Sequence, residues 1–331
     1  MHTGDIQDWN VWVETGVFED NFEKIYQQLR PRMNFSRANT GIVSKTSLRP
    51  RIHLLMVLHW LREHPKFRQL GQKFGLSAAS ARKDVLFLLP LLQEELHGEI
   101  AWPDSLPLGW EGTSGAIDGT AHPRSRVHPR QADWYRRDKG FCMLGQVICC
   151  IDGRLYQVDL LTGHNNDSGK SLQIVFSFLT FKGALILTGM KQYLLKHKIK
   201  LLADAGYSFC MLVTPDHGSP RKWNNFQKGM RSVVETTIGL VKFFAVTNDK
   251  FLGSPELHTM AVHVCYQLTA MRLKEFPLRT LNVPQIEWRS SEEKLTFLLV
   301  KKLTSTCKQK KVNLFHVKIF NLATCTCKFP Q

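Results

Sequence analysis

Residues 141–161 read FCMLGQVICCIDGRLYQVDLL, two apolar runs separated by Asp152-Gly153. A two-residue turn needs positive φ angles, which Asp and Gly tolerate, so this pair predicts a β-hairpin between two strands. A preceding apolar run, Gly115–Thr120, predicts a further strand. The three strands are therefore expected to form an antiparallel meander.

The elements after the hairpin complete an α/β order. The sequence predicts a helix from about Ser168, a strand that ends at Asp204 and a helix that carries Glu235. Strand, hairpin, helix, strand and helix is the order of a ribonuclease H-like domain. In such a domain an antiparallel meander and parallel strands form one mixed sheet between flanking helices, and the first and fourth strands lie side by side at its centre.

Three carboxylates are placed where this arrangement would bring them together. Asp118 and Asp204 end apolar strands, and Glu235 lies on a helix that can cross the same edge. Acids beside apolar runs are costly unless a cation meets them, and carboxylate oxygens suit Mg²⁺ or Mn²⁺. The set predicts two such ions, about 3.5 to 4 Å apart, for phosphoryl chemistry. Taken singly, Asp118 is also typical of a turn residue and Glu235 of a solvated helix charge.

The region before the sheet predicts a helix-turn-helix. Helical spacing begins at Arg51, and two shorter helices follow at about 67–74 and 77–89, the second capped by Ser77. On the second helix Ala81, Val85 and Leu89 share one face, which leaves Ser80, Arg82 and Lys83 to face outward and enter a major groove. An ordinary helical hairpin with a solvated basic edge is the alternative.

The composition favours a polyanionic partner. Lys and Arg total 44 against 28 acids in 331 residues, a formal net charge of +16, so duplex DNA is expected and a membrane is not. The apolar run Ile174–Met190 is interrupted by Lys182 and is short for a bilayer span. The eight cysteines are scattered, as in a reduced intracellular protein, which indicates the nucleus or the cytoplasm.

Five segments are expected along the chain. They are an N-terminal lead-in at 1–50, a helix-turn-helix domain at 51–98, a linker at 99–113, a ribonuclease H-like endonuclease domain at 114–275 and a basic tail at 276–331.

An ordered set of short motifs carries a resemblance to a known family. The motifs are Ile117-Asp118-Gly119-Thr120, Gly163-His164-Asn165-Asn166-Asp167-Ser168, Leu202-Ala203-Asp204-Ala205-Gly206-Tyr207, Thr214-Pro215 and Arg231-x-x-Val234-Glu235. Together they resemble the DDE superfamily endonuclease domain of harbinger-type transposases and their domesticated nuclease relatives, over about Gly115 to Lys274. The helix-turn-helix also resembles the segment that precedes this domain in the family.

The resemblance implies metal binding by Asp118, Asp204 and Glu235, and it adds Asp167 to the ligands. From the residues alone, Asp167 is equally well explained as a helix N-cap. Arg231 lies one helical turn before Glu235, where it could bind a phosphate or pair with the acid.

The function expected from these features is a metal-dependent DNA endonuclease or transposase that cleaves phosphodiester bonds by a two-metal mechanism. Two alternatives remain open. One is a catalytically inactive, transposase-derived DNA-binding protein, and the other is an adaptor that recruits a Myb-like DNA-binding partner, as the resemblance implies.

Overall fold

The structure is a computed structural model that describes most, but not all, of the chain. The described residues are 10–39, 49–104, 106, 112–163, 188–207, 210–215 and 221–279. They belong to one compact unit. No helix in these ranges combines the length and the apolar character needed to span a lipid bilayer. The predicted helix start at Ser168 and most of the run Ile174–Met190 lie outside the described residues.

Ten α-helices lie within these ranges. They are α1 (Val11–Thr15), α2 (Glu19–Asn39), α3 (Pro50–Glu63), α4 (Phe67–Phe74), α5 (Ala78–Glu95), α6 (Gln131–Trp134), α7 (Thr188–Lys196), α8 (Arg221–Val241), α9 (Ala245–Asn248) and α10 (Pro255–Glu275). The helices at 50–63, 67–74 and 78–95 confirm the helical pattern read from Arg51 onward.

One mixed sheet forms the centre of the molecule. Its strands are β1 (Thr113–Pro123), β2 (Tyr135–Arg136), β3 (Gly140–Cys150), β4 (Leu155–Thr162), β5 (Lys200–Leu202) and β6 (Leu212–Val213). The order is β2-β3-β1-β5-β6, and β4 pairs with β3. β1, β3 and β4 pair antiparallel, whereas β5 runs parallel to β1 and to β6. The α/β class and the mixed sheet with flanking helices are therefore as predicted, and the arrangement is compatible with a ribonuclease H-like fold.

A hairpin joins β3 and β4 at Asp152-Gly153 as predicted, but its loop is longer than two residues, because β3 ends at Cys150 and β4 begins at Leu155. Gly153 has a φ of 98°, and the Asp152 carboxylate accepts hydrogen bonds from the Arg154 backbone N–H and guanidinium, at 3.1 and 2.7 Å. Leu278 packs on this turn and donates its N–H to the Asp152 carbonyl at 2.8 Å. The first residues of the predicted tail thus contact the hairpin.

The parallel pairing of β1 with β5 places two predicted site residues close together. Ala116 of β1 lies opposite Leu202 of β5, and each acid follows two residues later. On the other side of β1, its backbone approaches β3 closely because Gly115 has no side chain. A Cβ at Gly115 would lie 2.0 Å from the Cys149 carbonyl oxygen of β3. Backbone atoms cannot give way as a flexible side chain can, so glycine is required at this position.

The helical region, residues 51–98, has the predicted helix caps, but its last helix, α5, is longer than predicted. The Ser77 hydroxyl accepts the Ser80 N–H at 3.0 Å, and Gly75 ends α4 in the left-handed conformation. The predicted inner face of α5 is fully buried. The helix was expected to end at about Leu89, yet it continues through Pro90 to Glu95. Leu92 is fully buried, and the burial of its side chain offsets the hydrogen bond that proline removes.

α10 packs against both the helical region and the sheet. The Gln267 side chain donates to the Gln93 carbonyl at the end of α5, at 2.8 Å. On the neighbouring residue, the Tyr266 hydroxyl lies 3.1 Å from Nε2 of His122 on β1. Both Gln267 and Tyr266 are fully buried. The helices and the sheet therefore share one core.

Two buried histidines in this core predict a loss of stability at mildly acidic pH. Burial lowers the pKa of His122 to about 4, and burial together with the nearby His122 and Arg124 lowers that of His258 to about 2. Both values lie below the unfolded value near 6.5, so the unfolded state binds protons that the native state does not. The stability is therefore highest well above pH 6.5 and decreases as the pH falls through 6.5 toward the native pKa values. From about pH 7 to pH 6 we expect the pair to remove roughly 1.4 kcal/mol from the free energy of unfolding.

Urea unfolding at these two pH values measures the loss. His258→Gln should lower the pH dependence by about half, because one of the two titrating groups is gone. The matched control is His197→Gln, since His197 is exposed at the end of α7. Equal pH dependence in His258→Gln and the wild type would contradict the assignment.

Candidate active site

Asp118 lies in the middle of β1, between β3 and β5. The prediction that it ends its strand is wrong, because β1 continues to Pro123 in its pairing with β3. It sits opposite Val147 of β3, and its side chain is 24% exposed. Oδ1 accepts the backbone N–H of Gly119 at 2.8 Å, which fixes the carboxylate on its own strand. The other oxygen faces α8.

α8 crosses the sheet and is anchored to opposite ends of its strands. The Gln227 side chain is fully buried and donates to the carbonyls of Ala203 and Val213, at 2.9 and 3.1 Å, where β5 and β6 end. Further along, the Thr237 hydroxyl donates to the Gly153 carbonyl in the hairpin turn at 3.2 Å. These hydrogen bonds hold the intervening turns of α8, which carry Arg231 and Glu235, next to β1.

Arg231 joins the two predicted acids. Its guanidinium donates from NH1 to Oδ2 of Asp118 at 3.1 Å and from NH2 to Oε1 of Glu235 at 2.6 Å. The arginine side chain is only 10% exposed, whereas that of Glu235 is 48% exposed. One buried guanidinium therefore bridges a strand carboxylate and a helix carboxylate.

Asp204 and Tyr207 form the other side of the site. Asp204 is exposed just beyond β5, and its carbonyl accepts the Tyr207 N–H at 3.0 Å, which closes a turn. The turn places the Tyr207 hydroxyl 3.7 Å from where a Cβ on Gly119 would lie. The Gln146 side chain of β3, 3% exposed, hydrogen-bonds this tyrosine.

The charges of the cluster influence one another's pKa values. Burial raises the pKa of Asp118, the Gly119 N–H and Arg231 lower it, and the charges of Glu235 and Asp204 raise it. Burial, followed by the charge of Asp118, also raises the pKa of the Tyr207 hydroxyl well above its usual range. Tyr207 therefore keeps its proton at neutral pH and can donate a hydrogen bond.

The residues fit a hard divalent cation by their chemistry. Asp118, Asp204 and Glu235 offer only carboxylate oxygens, the ligands that Mg²⁺ and Mn²⁺ prefer. The Arg231 guanidinium between two of these acids is a stand-in cation, which shows that the space tolerates positive charge. As they now stand, the described side chains do not include a group of three or more His, Cys, Asp or Glu arranged as metal ligands.

The predicted site residues fall into three groups. Asp118, Asp204, Glu235 and Arg231 lie in the cluster above, and the predicted ligand Asp167 lies outside the described residues. Ser80, Arg82 and Lys83 lie on α5, where both basic side chains are exposed and Ser80 is half-buried against the Ser77 hydroxyl at 2.9 Å. Arg231 is buried against the acids in this structure.

Two members of the cluster were not predicted to take part. In the sequence, Tyr207 is the last residue of the motif that contains Asp204, and Gln146 lies within the apolar run of β3. Gln146 could have been found, because it is a polar residue within the apolar run of β3, and such a residue needs a hydrogen-bonding partner when buried. Comparison of the chain with protein-family models, with curated proteins and with solved structures gave no match.

Proposed function

We propose that the protein is a metal-dependent nuclease with a ribonuclease H-like domain and that its substrate is DNA. The observation that supports the proposal is the Arg231 ion pair with both Asp118 and Glu235, with Asp204 just beyond the strand that pairs parallel with β1. Asp118 on the central strand, Asp204 after the parallel neighbour and Glu235 on the crossing helix form one electrostatic cluster. The net charge of +16 supports a polyanionic substrate.

Three side chains of the cluster would hold the metal. Asp118, Asp204 and Glu235 supply the oxygen ligands, and a divalent ion bound there supplies Lewis-acid stabilisation of charge on a phosphoryl group and activates water. The Gly119 N–H orients the Asp118 carboxylate. Tyr207, held by Gln146, keeps its proton and can donate a hydrogen bond to an oxygen of the substrate.

A second candidate function is a DNA-binding protein without nuclease activity, alone or as an adaptor for a Myb-like partner. The observation that favours it is the Arg231 bridge, because a buried arginine can form ion pairs with both acids without any metal. In this case the ion pairs of the cluster have only a structural role and hold α8 against β1.

A plasmid-nicking assay separates the two functions. The full chain is incubated with supercoiled DNA in Mg²⁺, in Mn²⁺ and in EDTA, and binding is measured in parallel. A nuclease nicks with either metal and not in EDTA. Binding that is equally strong in EDTA, without nicking in either metal, would favour the second candidate.

A double substitution on α5 tests the predicted DNA-binding helix. Arg82 and Lys83 are exposed on the face opposite the buried Ala81 and Val85. Replacing both basic residues with Ala should weaken duplex binding and reduce the slope of log affinity against log salt by about one for each lost phosphate contact.

The matched control is the double substitution Lys24→Ala with Arg30→Ala. These residues are exposed on α2, so the control removes the same charge from another helix. If both double variants change the salt slope equally, the effect is one of net charge and α5 is not the docking helix.

A further inference from the structure

Among the described residues, Arg231 forms ion pairs with Asp118 and with Glu235. Nη1 donates a hydrogen bond to Asp118 at 3.1 Å, and Nη2 donates one to Glu235 at 2.6 Å. The two terminal nitrogens of the guanidinium therefore bind different acids. The spacing of Arg231 and Glu235 along α8 explains the second pair, since residues four apart share one face of a helix. The first pair depends on how α8 crosses β1.

The two oxygens that Arg231 engages are ones that a metal ion would need. An ion held by both Asp118 and Glu235 would lie between these carboxylates, where the guanidinium now lies. Two cations cannot share this space without strong repulsion. The carboxylates of Asp118, Asp204 and Glu235 carry three negative charges against the one positive charge of Arg231, so the cluster still attracts a cation.

A displaced Arg231 would itself need a new partner. Its side chain is only 10% exposed, and a guanidinium that loses its acceptors at such a depth is costly. Phosphate oxygens match the fork of N–H donors as well as carboxylates do. A phosphodiester lying over the acidic cluster would supply such oxygens at that place.

We propose that Arg231 is an exchangeable counter-ion that passes from the carboxylates to the substrate. Without metal it holds Asp118 and Glu235 together; when a divalent ion binds, it releases at least one of them and donates to a phosphate of the DNA strand. This inference rests on the proposed nuclease function. It implies that metal and DNA bind cooperatively, and by linkage each must strengthen the binding of the other by the same factor.

Metal binding by the full-length protein, without DNA, gives the first test. Mn²⁺ titrations followed by calorimetry compare the wild type with Arg231→Gln, which removes the competing charge. We expect the variant to bind Mn²⁺ about tenfold more tightly, within the range typical of coupled sites. The matched control is Arg221→Gln, which removes a charge from the exposed start of the same helix and should leave the affinity nearly unchanged.

DNA binding gives the second test. With Ca²⁺ as a metal that limits cleavage, wild-type affinity for a short duplex should rise by a factor of about ten, again within the range of coupled sites. In Arg231→Gln this increase should largely disappear. If Arg231→Gln does not fold by circular dichroism, Arg231→Lys takes its place, because a lysine cannot bridge both acids and should give an intermediate gain in Mn²⁺ affinity.

The outcomes separate failure of this inference from failure of the proposed function. If Asp118→Asn weakens Mn²⁺ binding but Arg231→Gln leaves it equal or weaker, Arg231 supports the metal site and does not compete, and the inference is wrong. If the wild type and all variants fail to bind Mn²⁺, the metal-dependent function is wrong as well.

Discussion

Replacing Asp118 with Asn should reduce metal-dependent cleavage of DNA by more than about 100-fold without unfolding the protein. Loss of a residue that only hydrogen-bonds to a metal ligand lowers metal affinity or activity roughly 10- to 100-fold. Loss of the charge of a ligand itself should therefore lower activity more. The fold should survive because Asn keeps the hydrogen bond from the Gly119 N–H and Arg231 keeps Glu235 as its partner.

The same loss is expected for Asp204→Asn and Glu235→Gln, since all three acids lie in one cluster. Rates of nicking in Mn²⁺, with circular dichroism as the check on folding, measure it. Asp249→Asn is the control, because Asp249 is an exposed acid after α9 and lies outside the cluster. A wild-type rate in any of the three variants would remove that residue from the metal ligands, and pairs of substitutions should not add if the acids act as a unit.

Replacing Phe251 with Ala should lower the free energy of unfolding by about 3 to 5 kcal/mol, the usual cost of truncating a large buried aromatic residue. Phe251 is 1% exposed, and its ring lies between the parallel rings of His64, at 5.3 Å, and His258, at 4.4 Å. Its backbone N–H donates to the Pro123 carbonyl at 3.1 Å. The residue therefore joins the end of α3, the start of α10 and the end of β1.

The neighbouring residue provides the control for this effect. Leu252 is 70% exposed, so Leu252→Ala should change stability by less than about 0.5 kcal/mol. Urea unfolding at neutral pH measures both variants. A loss below about 1 kcal/mol in Phe251→Ala would mean that the site collapses around the missing ring, and that this junction contributes little to the fold.

Much of the sheet could be predicted because local chemistry determines it. The Asp152-Gly153 turn sets the hairpin, and the apolar runs on either side of it set β3 and β4. The closeness of Asp118 and Asp204 followed from element order, because β1 and β5 were expected to be parallel neighbours. These predictions needed no knowledge of side-chain packing.

The contacts between elements could not be predicted in the same way. The spacing of Arg231 and Glu235 indicates a helical pair, but the ion pair with Asp118 depends on the angle at which α8 crosses β1. The continuation of α5 past Pro90 depends on the burial of Leu92 in a core formed with distant residues. Local propensity favours a helix end there, and tertiary packing overrides it.

The position of α10 between the helical region and the sheet also limits how such a protein can evolve. Gln267 hydrogen-bonds to the end of α5, and the adjacent Tyr266 hydrogen-bonds to His122 on β1. A helical region excised at residue 99 would expose the apolar surface that α10 covers and leave the Gln93 carbonyl without its donor. Exchanging this region for another helical module would require α10 to be rebuilt at the same time. Changes in one part of the core must therefore be accommodated by the other.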